Sequence, residues 1–338
     1  MEPTMAAQHA LSVPEPIQSA VVNHWQGRAV AVAAELEVAD LLANGPLSLE
    51  TLAERTHTQA PSLFRLLRAL ESMGVFQQTS PKVFANTPAS DCLRKDSANS
   101  QWAWIRLALS TEAMVFRGWT GLIKSLRNGG IAFDQVEGCN VWEFMQREPD
   151  RRTLFNLAMR AVGAGMTEAV TAAFDWSRFP VIADIGGGIG TQLVSILDGH
   201  PGCRGMLFDE PGVVAEALPH DRMSCVPGDF FESVPAGADA YILRWIIHDW
   251  ADPESIRILQ NIREVIKPSG RLVLIEALLS QGPGFDLAKW MDLNMMVMAG
   301  GQERTSAEYA GLFAKCGFEL EEVVPTSSAL SLLVGKPV

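Results

Sequence analysis

One histidine and three carboxylates occupy positions from which they could move a proton. Arg244-Trp245-Ile246-Ile247-His248-Asp249-Trp250 follows an apolar run, Glu276 lies in Leu274-Ile275-Glu276, and Glu303 lies in Gly300-Gly301-Gln302-Glu303-Arg304-Thr305. Histidine changes charge near neutral pH, so His248 can take the proton of a weakly acidic hydroxyl while that oxygen attacks an electrophile. A carboxylate on its second ring nitrogen fixes the tautomer and steadies the imidazolium. A lone histidine is more often a packed or surface residue. His248 with Asp249 beside it and with Glu276 and Glu303 at two further loop positions argues for a catalytic set. The same residue types also bind metals, but no second histidine lies near His248, so no metal is expected.

A second constellation reads as a ligand turn. Val181-Ile182-Ala183-Asp184-Ile185-Gly186-Gly187-Gly188-Ile189-Gly190-Thr191 is a strand, a glycine turn and a helix start, and Asp209 ends the next strand. Gly186 and Gly188 let the backbone pass close to a ligand, and the Asp209 carboxylate can accept both hydroxyls of a ribose. These features allow either a dinucleotide or S-adenosylmethionine (SAM). The dinucleotide pattern needs a glycine at 191, where Thr191 stands. Asp184 would repel a pyrophosphate and attract an ammonium, which favours SAM. The bland alternative is a tight turn without a ligand. In Gly228-Asp229-Phe230-Phe231, Asp229 can accept from an adenine amino group while Phe230 covers the ring. Read alone, Asp229 is equally a loop cap.

The elements needed to hold these residues are legible. From Phe179 onward, short apolar runs alternate with helical patterns. The runs are Val181 to Ile185, Gly205 to Phe208, Met223 to Val226, Ala240 to Trp245 and Arg271 to Ala277. That texture indicates a parallel sheet covered on both faces, with ligands at the carboxyl ends of its strands. Phe318 to Val324 and Leu330 to Val334 are too close in sequence for a crossover, so the last strand should run antiparallel. Ahead of this core, Ile17 to Leu42 reads as one helix stopped by Asn44-Gly45-Pro46. A second helix starts at cap Ser48, and a third, Pro61 to Leu70, is closed by Gly74. Val75 to Gln78 and Lys82 to Ala85 complete a winged-helix pattern. Residues 99–175 are helical and rich in aromatics. The expected domains are therefore 1–98 and 99–338, the latter comprising a connector, 99–175, and an α/β core, 176–338.

Charge narrows the partners. The chain has 338 residues, a net charge of −12 and a 48% hydrophobic content. An acidic protein is poorly suited to phosphate backbones, so the winged-helix pattern reads as a dimerisation module and no nucleic-acid partner is expected. Five cysteines with no C-x-x-C pair suggest a reducing compartment. The first twenty residues show no leader pattern and no apolar run spans a membrane, so a cytoplasmic protein is expected.

At these residues the chain resembles the small-molecule O-methyltransferases of plant caffeate and hydroxyindole type and their bacterial natural-product relatives. The resemblance runs nearly end to end. It is most specific in Asp184-Ile185-Gly186-Gly187-Gly188-Ile189-Gly190, in His248-Asp249-Trp250, and in Gly300 to Thr305 leading to Cys316-Gly317-Phe318. It implies a Rossmann-like class I SAM methyltransferase sheet behind an N-terminal domain that dimerises and reaches into the partner's active site. It implies His248 as base, bracketed by Glu276 and Glu303. Gly186, Gly188, Asp209, Asp229, Phe230 and Arg244 would line the SAM site, and Phe155, Met159 and Met295 the pocket for an aromatic acceptor. Arg244 stands where many relatives carry lysine, and Glu210 where leucine is usual. Two alternatives stay open: a SAM-retaining relative with pericyclic or hydroxylating chemistry, and a metabolite-sensing DNA-binding regulator.

Overall fold

Apolar spacing and capping chemistry account for the N-terminal elements. A computed structural model describes residues 15–338. The absence of a leader was read on the first twenty residues, of which 1–14 lie outside that range. The described chain divides into two compact units, one reaching to Phe116 and taking back Thr153–Ala161, the other made of Arg117–Arg152 and Val162–Val338.

In the first unit, helix α1 (Glu15–Glu35) is shorter than the single helix expected to Leu42. Glu37 turns into the left-handed region, φ 54°, and a short helix, Val38–Leu41, follows. The bend has a packing reason. Val38, Ala39 and Leu42 are buried in one cluster with Leu52, Leu63, Leu67 and Phe84, a core that a straight continuation would carry them away from. Strand β1 (Leu47–Ser48) leads into α2 (Leu49–Arg55), where the Thr51 amide donates to Oγ of the cap Ser48 at 3.1 Å. Helix α3 (Ala60–Glu71) buries Leu63, Leu67 and Leu70, one face at helical spacing. Strands β2 (Phe76–Ser80) and β3 (Val83–Asn86) close an antiparallel sheet in the order β1-β3-β2. The expected winged-helix pattern is present.

The long helix α4 (Pro149–Ala173) belongs to both units. In the second unit, β4 (Val181–Ile185), α5 (Thr191–Gly199), β5 (Arg204–Asp209), β6 (Met223–Pro227) and β7 (Ala240–Arg244) are followed by α6 (Asp252–Val265), β8 (Arg271–Ala277), α7 (Leu287–Met298), α8 (Ser306–Lys315), β9 (Phe318–Pro325) and β10 (Leu330–Pro337). The sheet order is β6-β5-β4-β7-β8-β10-β9. The first five strands are parallel, and β10 pairs antiparallel with both β8 and β9, as the short final connection requires.

The pleat sends alternate residues to opposite layers. Tyr241, Leu243, Leu272 and Leu274 pack with Ile258, Ile262 and Phe313, whereas Ile242, Val273 and Ile275 pack with Leu193, Ile196 and Leu332. The strand order reverses direction between β4 and β7, and a crevice for ligands opens at the carboxyl ends of such strands. Among the described residues no helix is long and apolar enough to cross a membrane.

Candidate active site

The glycine turn between β4 and α5 is shaped by backbone demands. The Gly186 amide donates to the Phe208 carbonyl at 2.8 Å, and a Cβ on Gly186 would stand 2.6 Å from Ile246 Cδ1 and 3.4 Å from Phe230 Cε1. Gly188 adopts φ +61° and donates its amide to Asp209 Oδ2 at 2.7 Å. Asp209 Oδ1 accepts from the Glu210 amide at 2.7 Å. Burial raises the Asp209 pKa against the pull of these two amides.

Asp184 is the unusual group of this turn. It is 1% exposed, and neither carboxylate oxygen closes a hydrogen bond. Burial pushes its pKa up to about 7, with the Arg244 charge as the principal counterweight. Arg244 ends β7, and its Nη1 donates to Thr167 Oγ1 at 2.7 Å and Gln192 Oε1 at 3.2 Å. Its Nη2 donates to the Gly163 carbonyl at 3.1 Å, while Nε is buried without a partner. Burial brings the guanidinium down to about 10. A buried unpaired carboxylate near a buried guanidinium is costly unless a ligand completes the pairing. The ammonium of an amino-acid moiety is the complement that Asp184 lacks, so these residues fit the methionine end of SAM.

Beyond the turn lie Asp229 and an aromatic group. Asp229 Oδ1 accepts from the Phe231 amide at 2.8 Å, a loop-capping contact that leaves its second oxygen for other work. Phe230 stands edge-on to Trp250 with ring centroids 6.2 Å apart, and Trp250 stacks with Trp142 at 5.9 Å. Trp250 contributes a flat face here, a role that residue order in His248-Asp249-Trp250 does not reveal.

The histidine lies in a short turn, Ile247–Asp249, just past β7. His248 is 6% exposed, Glu276 0% and Glu303 3%. His248 Nδ1 stands 2.7 Å from Glu303 Oε1, and Nε2 stands 3.6 Å from Asp249 Oδ1, beyond a hydrogen bond. Glu276 sits near the end of β8 and its Oε1 accepts from the Ile247 amide at 3.0 Å. One ligand-type atom each from His248, Glu276 and Glu303 lie within 4.8 Å of one another. The structure thus brings together the residues that the sequence placed in three separate segments.

Burial disfavours the imidazolium, but Asp249, the Glu303 hydrogen bond and Glu276 outweigh it, and His248 is raised to about 10. Burial raises Glu276 to about 8 and Asp249 to about 6, with His248 pulling each back.

Other neighbours were not singled out from sequence. Trp245 sits at φ 54°, its ring parallel to His248 within 8° at 6.3 Å, with the Arg244 guanidinium 5.2 Å from the Trp245 ring centroid. Nothing in an apolar run ending in tryptophan announces that strain. Asp292 Oδ1, on α7, receives the Glu303 amide at 3.0 Å. Met295 lies on α7, half-buried; Phe155 and Met159 lie on the Thr153–Ala161 stretch of α4, which belongs to the first unit.

Comparisons with known proteins identify the family. Residues 119–319 match the O-methyltransferase domain and residues 21–96 the O-methyltransferase dimerisation domain. The chain is 38% identical to the phenazine O-methyltransferase of Lysobacter antibioticus over 94% of each protein. It is 35% identical to the mitomycin biosynthesis 6-O-methyltransferase of Streptomyces lavendulae, over 92% of this chain and 90% of that one. The crystal structure of human N-acetylserotonin methyltransferase in complex with SAM matches with a TM-score of 0.88 at 28% identity, covering 97% of this chain and 99% of that one. The chain belongs to the O-methyltransferase family that carries this dimerisation domain, and it is an SAM-dependent O-methyltransferase.

Proposed function

We propose that the protein transfers a methyl group to a hydroxyl of a small aromatic natural product, with His248 as general base. The observation that carries this reading is the buried pair of His248 Nδ1 and Glu303 Oε1 at 2.7 Å. It leaves Nε2 as the ring nitrogen that can receive a proton. SAM, when bound, supplies an electrophilic methyl group on a positively charged sulfur. His248 Nε2 takes the hydroxyl proton as the acceptor oxygen attacks. Glu303 holds the tautomer with Nδ1–H and stabilises the imidazolium, while Asp249 adds negative charge around the ring and Glu276 does so above about pH 8, where it ionises. A phenol ionises near pKa 10, and the carboxylates that raise His248 stabilise the imidazolium formed as it takes that proton.

On this reading Asp184 receives the methionine ammonium of the cofactor and Arg244 faces the same amino-acid end. Gly186 and Gly188 leave room for it, Asp209 accepts from the ribose, and Asp229 and Phe230 hold the adenine. Phe155, Met159 and Met295 are the residues that the family resemblance assigns to acceptor binding. Residues 1–98 form the dimerisation domain of a homodimer and 99–338 the methyltransferase part. A panel of phenolic aromatics offered with SAM tests the reaction. A mass gain of one methyl per acceptor, lost in His248→Ala, is expected; methylation undiminished in that variant would reject His248 as base.

A further inference from the structure

We propose that Arg304 is the positioning residue that docks the Glu303 loop on the His248 turn and thereby sets the imidazole–carboxylate pair; the proposal rests on reading His248 as the base. Arg304 is 2% exposed, although its neighbours Gln302 and Thr305 are not buried. Its fork is shared among groups on both sides of His248. Nη1 donates to the Ile247 carbonyl at 3.2 Å and Nη2 to the Trp250 carbonyl at 3.1 Å. Nη2 and Nε reach Asp252 Oδ1 at 3.0 and 3.3 Å. The remaining contacts are longer, to the Gln302 carbonyl at 3.4 Å and Ser255 Oγ at 3.5 Å. The guanidinium also lies 5.8 Å from the Tyr309 ring centroid.

The residues beside Arg304 complete the docking. The Gln302 amide donates to the His248 carbonyl at 2.9 Å, so residues 302–304 together hold the carbonyls of Ile247, His248 and Trp250. Glu303, between them, is left pointing at His248 Nδ1. Other donors to these carbonyls are neutral and long: the Ile247 carbonyl also accepts from the Trp250 amide at 3.3 Å and Ser255 Oγ at 3.4 Å, and the Trp250 carbonyl from Ser255 Oγ at 3.2 Å, so the guanidinium supplies the charge-assisted bonds that tie this turn to the Glu303 loop. Only a planar guanidinium can serve two carbonyls and a carboxylate in one plane; a lysine ammonium is a point charge that can keep one or two of these contacts. Arg304 touches no reacting atom. Its effect on the reaction passes through the 2.7 Å contact that the two segments share.

The test uses the full-length chain with 15N-labelled histidine. The Nδ1–H of His248, bonded to a buried carboxylate, gives a far-downfield proton signal, assigned by its loss in His248→Gln. Arg304→Lys is expected to lose or broaden that signal. Calorimetry with SAM should stay within about threefold of the parent dissociation constant, while kcat falls about 10²-fold, the loss expected from a small misplacement of a catalytic group. Arg263→Lys is the control, because Arg263 also grips two main-chain oxygens, those of Gly317 at 2.9 Å and Val338 at 2.8 Å, away from the base. It should leave the signal unchanged. A folded Arg304→Lys protein with the parent signal and parent rate overturns the proposal. Should that variant not fold, Asp252→Asn removes the outer anchor of the fork and takes its place: loss of the signal and of rate supports the proposal, and parent values overturn it. The spectrum needs no acceptor, so a protein that shows the expected signals but methylates no phenol would fail the function and leave the positioning role standing.

Discussion

Gly301 packs directly on the backbone of His248. A methyl group built on Gly301 would stand 2.7 Å from the Asp249 carbonyl oxygen and closer still to that of His248. No rotamer relieves a clash with backbone, so the two segments would have to separate. Gly301→Ala is therefore expected to destabilise the fold by roughly 1–3 kcal/mol and to cost most of the activity, read from the denaturant midpoint and kcat. An unchanged midpoint with full turnover would contradict the close approach.

Replacing the base should separate chemistry from binding. His248→Ala is expected to lower kcat by about 10²–10⁴ while SAM binds as before, since none of the groups that fit SAM at the glycine turn is altered. A variant that keeps more than about a tenth of the parent rate would place the base elsewhere.

The pH profile has a definite sign. His248 is raised from 6.5 to about 10, and only its neutral form can accept a proton, so the rate should climb with pH well beyond neutrality. Glu303→Gln removes a hydrogen bond and a charge that raise this pKa, and the rising limb should shift to lower pH, with a lower plateau because the ring is less well held. A parent profile whose midpoint sits near 6.5 would count against the carboxylate cluster as its cause.

Asp184 trades stability for ligand. Its folded pKa is raised from 3.8 to about 7, so folding favours the protonated form. Stability contributed by that proton is full below pH 3.8 and is lost as pH rises through about 7. Asp184→Asn should therefore raise the Tm of the SAM-free protein at pH 8 and abolish SAM binding. A lowered Tm there would show that the carboxylate is paired in solution.

Asp209→Ala should weaken SAM binding without the gain in stability. Charge-assisted bonds to ribose hydroxyls are worth about 1.5–3 kcal/mol each, and the Gly188 and Glu210 amides would also lose their acceptor. An unchanged dissociation constant in calorimetry would remove Asp209 from the site.

Helix α1 supplies the test of the homodimer. Ile17, Val21 and Trp25 recur at four-residue spacing and are 62%, 51% and 64% exposed. An apolar stripe of this kind on a single chain is an association surface or an aggregation hazard. Light scattering should give about twice the 36.8 kDa of one chain, and Trp25→Glu should shift it toward one. A parent mass near 36.8 kDa at micromolar concentration would reject the dimer.

Much of this protein could be read from residue order alone, because the signals are local. Alternating apolar runs and helical spacing define a parallel sheet before any contact is known, and the few residues between Val324 and Leu330 force β10 to run back. The glycine turn with Asp184 and Asp209, and the separation of His248, Glu276 and Glu303 onto segments that end near one crevice, follow from where strands stop. The bend at Glu37 was not legible, because its cause is the burial of Val38, Ala39 and Leu42 in a core built with distant helices. Trp245 in the left-handed region and the fork of Arg304 were not legible either: one is a φ angle and the other a set of bonds to carbonyls 50 or more positions away in the chain. Sequence named Glu276 and Glu303 alike as partners of His248, with Glu276 able to face it across the crevice, but only the packing of Gly301 and Arg304 on the turn decides that the Glu303 carboxylate meets Nδ1, while that of Glu276 is taken by the Ile247 amide. Side-chain type is local chemistry, whereas which nitrogen meets which oxygen is set by how two loops dock.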